Sequence, residues 1–338
     1  MRNLLLLLFF SWCCASALPA QMPAFVILDT NTSDGATYSQ EGGNERRVFG
    51  GMALKAPGRL RLMAGARATV VFEARRIELE GPAMYDLERL AEEIRNQNSA
   101  TFLDRFWAFI SNAIKDTETP DKVERYHRRY LSNARAGVSG FGSQSYAIKS
   151  PLYLSGRLTA PGVRFHWDSV AGATGYVFEL WEMGAGQPIL SACTRNEQLT
   201  LSLEELNLPT SQLAFWKVRT IGADSTAQHS RQHRFRYAPA ALEAFEAELE
   251  ADGDYQSMTE AERVLYRLYE LEEEGFFQAA RQAYAQLVQQ HPRSELYTHL
   301  YTGFLVRMNA LEEAKNKCDE PLYSTAMARF AHYYGGAR

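Results

Sequence analysis

The chain has 338 residues, 46% hydrophobic and 22% charged, proportions of folded globular proteins that exclude a disordered, collagen-like or polytopic membrane chain. Its 36 basic and 40 acidic residues leave a net charge of −4, without a long single-sign run to attract nucleic acid or anionic lipid. At roughly 100–200 residues per domain, two or three domains are expected.

Arg2 precedes the unbroken apolar run Leu4–Phe10, and the small residues Ala15, Ser16, Ala17 and Ala20 follow. This is the layout of a secretory signal peptide over residues 1–20, cleaved after Ala17 or Ala20. A membrane anchor needs roughly 20 apolar residues, about twice this run, so no transmembrane segment is expected after its removal. The protein is therefore expected to be exported: periplasmic, associated with the outer surface, or secreted. Cys13 and Cys14 follow Phe10, Ser11 and Trp12, a poor lipoprotein signal, and leave with the leader. Cys193 and Cys318 remain, and both read as buried structural thiols in separate domains.

Residues 24–85 read as a β-rich module. Leu60 and Leu62, the run Thr69–Phe72, and Ile77 and Leu79 lie between Gly50-Gly51, Pro57-Gly58, Gly65 and Gly81-Pro82, a pattern of short strands and tight turns. The stretch Gly58–Tyr85 resembles the glycine-marked strand-and-turn units of FecR-like domains, without carrying over that family's signalling role. Residues 86–149 change to a helical period and form a connector. Leu87, Leu90 and Ile94, then Phe102, Phe106, Phe109 and Ile110, then Val123, Tyr126 and Tyr130 predict three helices. Thr119-Pro120-Asp121 suits the start of the third, whose Arg125, His127, Arg128 and Arg129 read as a solvated face.

Strand signals return over residues 150–238. The run RFHWDSVAGATGYVFELWE, Arg164–Glu182, resembles the second and third strands of a fibronectin type III domain, with Trp167, Val170, Gly172, Ala173, Gly175 and Tyr176 at the matching positions. Leu206 and Leu208 fit a later loop of that family, and Phe215, Trp216, Val218 and Arg219 its sixth strand. Alternation sends one of the sets Phe215, Lys217, Arg219 and Trp216, Val218 into a sandwich and the other toward solvent. The resemblance implies partner presentation or spacing rather than chemistry.

Residues 240–330 are helical. GFFQAARQAYAQLV from Gly275 and NALEEAKNKCDEPL from Asn309 are 34 residues apart, which aligns Ala280 with Ala314 and Tyr284 with Cys318. The pair resembles tetratricopeptide units, although Leu268 and Val264 stand at that family's early Gly and Trp sites. In such arrays the concave surface comes from the first helix of each unit. Arg263, Arg267, Glu270, Tyr297 and Tyr301 are therefore the candidate groove for a protein partner; the rival reading is packing against the preceding domain.

The chain carries no phosphate-cradling glycine loop and no Gly-x-Ser-x-Gly turn. His229 and His233 fall in a loop and strand, without a nearby carboxylate or third His, and read as structural or exposed rather than metal-binding. No cofactor is expected. Glu270, Glu272, Glu273 and Glu274 read as a solvated helix end. Trp107, Trp167 and Trp216 read as core, while Trp181 is left open between packing and sugar stacking. The expected fold class is a multidomain α+β chain: small β-rich module, helical connector, β-sandwich and C-terminal helical repeats. The expected function is an exported, non-enzymatic scaffold or adaptor for protein–protein interaction in the bacterial envelope. The alternatives are a periplasmic sensory or regulatory component and a carbohydrate-binding surface protein with a glycan or envelope partner.

Overall fold

The computed structural model describes residues 24–32, 34–40, 43–96, 104–114, 148–206, 208, 212–222 and 228–317. The expected leader, the third connector helix with its basic cluster, and Cys318 lie outside them. The described chain is a mixed α+β structure.

Eight strands make the N-terminal region: β1 (Ala24–Thr30), β2 (Ala36–Gln40), β3 (Arg46–Arg47), β4 (Ala53–Lys55), β5 (Gly58–Leu62), β6 (Arg67–Phe72), β7 (Arg75–Glu80) and β8 (Ala83–Asp86). They form two antiparallel sheets, β4-β1-β6-β7 and β3-β2-β5-β8. Period-two alternation puts Phe25, Ile27, Tyr38, Leu60, Leu62, Val70 and Phe72 into one core, each at most 1% exposed. Helix α1 (Leu87–Arg95) adds Leu87, Ala91 and Ile94. Its cap is Asp86, whose carboxylate accepts the N–H groups of Glu88 and Arg89 at 3.0 and 3.1 Å.

The other face of the first sheet joins a larger core through Val26, Leu28 and Val71. Helix α2 (Asp104–Ile114) lies against this face and brings Phe106, Trp107, Phe109 and Ile110. The strands then resume as β9 (Gly156–Leu158), β10 (Gly162–His166), β11 (Ala173–Glu182), β12 (Leu190–Thr194), β13 (Gln198–Ser202), β14 (Leu213–Gly222) and β15 (His233–Tyr237). They form a five-stranded sheet, β12-β11-β14-β15-β9, and a two-stranded one, β10-β13. Alternation along β14 buries Trp216 and Val218 completely, and Trp216 packs edge-on to Phe165 and stacks on Phe178. Trp107 and Trp167 are also core residues.

Six helices complete the described chain: α3 (Ala241–Ala251), α4 (Gly253–Ser257), α5 (Glu260–Glu273), α6 (Phe277–Gln290), α7 (Glu295–Arg307) and α8 (Leu311–Lys317). A capping box starts α5, with the Thr259 hydroxyl accepting from Glu262 N–H and the Glu262 carboxylate from Thr259 N–H. Ala280 and Ala314, 34 residues apart in the sequence, are both fully buried.

These helices sit between the two β regions and are hydrogen-bonded to both. Leu296 N–H donates to Gly51 C=O at 2.8 Å, while Arg157 N–H donates to Gly275 C=O at 2.8 Å and Leu152 N–H to Met308 C=O at 2.7 Å. Arg76 of β7 pairs with the buried carboxylate of Glu262 on α5. One apolar core consequently runs from the first sheet through α2 and the helices into the second β region, across the boundaries expected near residues 149 and 239.

Two sequence expectations change. Cys193 is an exposed free thiol, because β12 is an edge strand whose alternate residues Ser191 and Cys193 face out. Glu272 does not belong to a solvated helix end: at 1% exposed it accepts from Tyr284 OH and pairs with Arg307 at 2.9 Å. Its partners come from α6 and α7, so nothing in the local run of glutamates distinguishes it.

Candidate functional site

Helix α2 packs against both α5 and α7. The Phe106 ring meets Tyr266 edge-on at 5.2 Å and lies 6.0 Å from Tyr269, while Phe109 lies 5.4 Å from Tyr269. Helix α2 thus covers the Tyr266 and Tyr269 side of α5, beside the candidate residues Arg263, Arg267 and Glu270. An amphipathic helix laid on a helical groove is an ordinary recognition mode, made here in cis.

The five candidate groove residues divide accordingly. Arg263, Arg267 and Glu270 are half-buried on α5. Arg267 pairs with Glu246 of α3 and, with Glu246, Ala247, Leu249 and Glu250, lines an open cleft of about 340 Å³. Burial raises the Glu270 carboxyl pKa above the usual range; a hydrogen bond with Tyr266 opposes the shift, and Glu273 and Glu274 add to it. Tyr297 and Tyr301 do not join this cleft. Tyr297 is 7% exposed, edge-on to His291. Tyr301 is 3% exposed, stacks on Tyr284 and donates to Glu313 at 2.7 Å. Both tyrosines are buried against neighbours from their own helical region, His291, Tyr284 and Glu313, rather than lining an open groove.

Two polar clusters have no local sequence signature. Tyr153 OH shares a 2.9 Å hydrogen bond with His166 Nε2. Arg281 lies 4.8 Å above the Tyr153 ring and donates twice to Glu313, at 2.8 and 3.0 Å. Burial pushes the Tyr153 phenol up to about 12 and the His166 imidazole down, so near neutrality the pair is an uncharged seam between the second β region and the helices. In the second cluster, His233 hydrogen-bonds Ser150 through Nε2 and Ser155 through Nδ1, and stacks 4.2 Å from Trp216. A serine beside a histidine suggests nucleophilic catalysis, but His233 is 1% exposed and both its ring nitrogens are engaged by serine hydroxyls. Burial, aided by Arg231, lowers its pKa to about 3. It is a neutral strut between the chain before β9 and strand β15.

His229 lies apart from this strut, exposed and bridged to Arg219. Among the described residues, no group of three or more His, Cys, Asp or Glu is placed to hold a metal ion, and no helix is long and apolar enough to cross a membrane. No family model matches the chain, and no curated protein matches it.

Proposed function

We propose that the protein is an exported, non-enzymatic scaffold of the bacterial envelope that holds protein partners. In this reading a tetratricopeptide-like array joins a FecR-like β module to a fibronectin type III-like sandwich. The observation that carries it is the use of the array's first-helix face: it already grips the amphipathic helix α2 through Phe106, Phe109, Tyr266 and Tyr269, and beside it remains the cleft of Arg267 and Glu246. The strand order β12-β11-β14-β15-β9 opposite β10-β13 supports the sandwich assignment, and the paired helices with Ala280 and Ala314 at their contacts support the repeat assignment. Export rests on the pattern of residues 1–20.

The test is a crosslinking pull-down from the native envelope with the full chain, run beside Arg263→Glu and Arg267→Glu. A specific protein captured by the unaltered chain and lost with the variants supports the reading. Capture that ignores both substitutions, or site-specific hydrolysis of peptides or glycans by the purified protein, overturns it.

A further inference from the structure

The outer face of the five-stranded sheet carries a pattern that the core does not use. On β14 the residues alternating with Trp216 and Val218 are Phe215, Lys217, Arg219 and Ile221; on β15 those alternating with Phe235 are Arg234 and Arg236. The register sets Phe215 between Trp181 of β11 and Arg234 of β15, and Leu213 beside Arg236. Trp181 and Phe215 stack 5.9 Å apart with planes 5° from parallel, and Lys217 Nζ lies 5.0 Å from the centre of the Trp181 ring. The Lys217 and Arg219 side chains are 29% and 42% exposed, Arg236 is exposed, and Ile221 is 38% exposed.

Among the described residues, charge is one-sided on this face. Lys217, Arg219, Arg234 and Arg236 share it with Glu179, which pairs with Lys217 at 2.9 Å and lies 3.9 Å from Arg219. The chain as a whole carries a net charge of −4. A solvated sheet face needs neither the charge bias nor the ordered aromatic pair. Trp and Arg are the residues that dominate binding hot spots, and Lys217 over Trp181 holds both in place before any ligand arrives.

We propose that this face docks an acidic polypeptide segment of a partner protein. The proposal rests on the scaffold reading above and names a surface and a partner chemistry for it. Lys217 and Arg219 are two residues apart on one strand, as are Arg234 and Arg236 on the next, so the members of each pair are about 7 Å apart along the strand. Alternate side chains of an extended peptide repeat at the same distance. Carboxylates at positions i and i+2 of the segment match Lys217 and Arg219, with the exposed Arg236 on the neighbouring strand, and Trp181, Phe215 and Leu213 offer apolar contact beside them.

The test uses the full chain and a fluorescent synthetic peptide with glutamates at alternate positions. It is compared with the same peptide carrying lysines and with a uronic-acid polymer. The acidic peptide should bind in a salt-sensitive manner, and Arg219→Glu with Arg236→Glu should weaken it roughly tenfold with an unchanged heat-unfolding midpoint. Arg236→Glu alone, at an exposed position, should weaken it about threefold. Undiminished affinity in these variants, absence of binding to the unaltered chain, or equal binding of the lysine peptide overturns the proposal. Preferential binding of the uronic-acid polymer also overturns it, by assigning the face to glycans. Retained peptide binding in Arg263→Glu and Arg267→Glu chains that still capture the same envelope protein would refute the cleft while leaving this face standing.

Discussion

In the N-terminal β region, two four-stranded sheets and α1 enclose a core of their own, centred on Phe25, Tyr38, Leu60 and Phe72. The second β region has a two-stranded sheet opposite its five-stranded one, and its core continues into the helices through the segment Leu152–Leu154 and α6. Trp216 Nε1 even donates to the Leu154 carbonyl, at 3.0 Å. A sheet with one uncovered face must bury it against another element. The first region encloses one core with its own two sheets and α1 and lays the other face of its first sheet on α2, whereas the second has only the two-stranded sheet of its own and shares its core with helices from residues 241–317.

Trp216→Ala should separate the two regions most clearly, with a loss of about 3–5 kcal/mol. The four tryptophans outside the expected leader, Trp107, Trp167, Trp181 and Trp216, lie in the second region or on α2. Denaturant unfolding read by the fluorescence of the remaining three should shift sharply, while hydrogen exchange of β2 and β5 should change little. A similar truncation at Phe72, which stacks on Phe25 at 4.4 Å, should reverse that ordering.

Glu272→Ala removes a buried charge from a helix-internal network and leaves Arg307 behind. A loss of about 3 kcal/mol is expected, seen in the helical circular dichroism transition rather than in β2 and β5 exchange. Retention of the original midpoint would refute the role given to this pair.

The His233 strut makes the second region sensitive to acid. Its pKa is lowered from 6.5 to about 3, so between these values the unfolded chain binds more protons than the folded one, and stability falls as the pH drops through that window. At pH 5 the loss is about 2 kcal/mol relative to neutral pH. His233→Gln should flatten that part of the pH profile; an identical slope in the variant would show that other groups carry it. Burial raises Glu270 and works in the opposite sense, so the comparison with the variant isolates His233.

The smallest expected effect tests the joint between the regions. Gly51 has φ of 83°, and a Cβ there would lie 1.8 Å from Ser294 Oγ. Gly51→Ala should cost about 1–2 kcal/mol through backbone strain and the clash. It should speed exchange of the Leu296 amide, which donates to the Gly51 carbonyl, while sparing the Phe25 core.

The strands around Leu60, Val70 and Leu79 and the helices around Leu87, Ala280 and Ala314 were legible because a residue's face depends on spacing along one element. The inward set of β14 was legible for the same reason. Of the five candidate groove residues, Arg263, Arg267 and Glu270 lie half-buried on one side of α5, as their helical spacing requires. Tyr297 and Tyr301 looked equally accessible, yet their burial depends on neighbours from other elements, such as Tyr284 and Glu313. Cys193 was misjudged because a strand pattern does not reveal whether the strand ends a sheet.

Local periodicity, glycine and proline punctuation and capping residues were sufficient for the α+β character and for most element positions, since these depend on interactions within a few residues. Tertiary structure alone decided that α2 packs on α5 and α7, that the C-terminal helices continue the core of the second β region, and that Lys217, Arg219, Arg234 and Arg236 share one face with Trp181. Those outcomes depend on contacts between residues far apart in the chain, where side-chain shape and the desolvation of buried charges such as Glu262 and Glu272 select one arrangement.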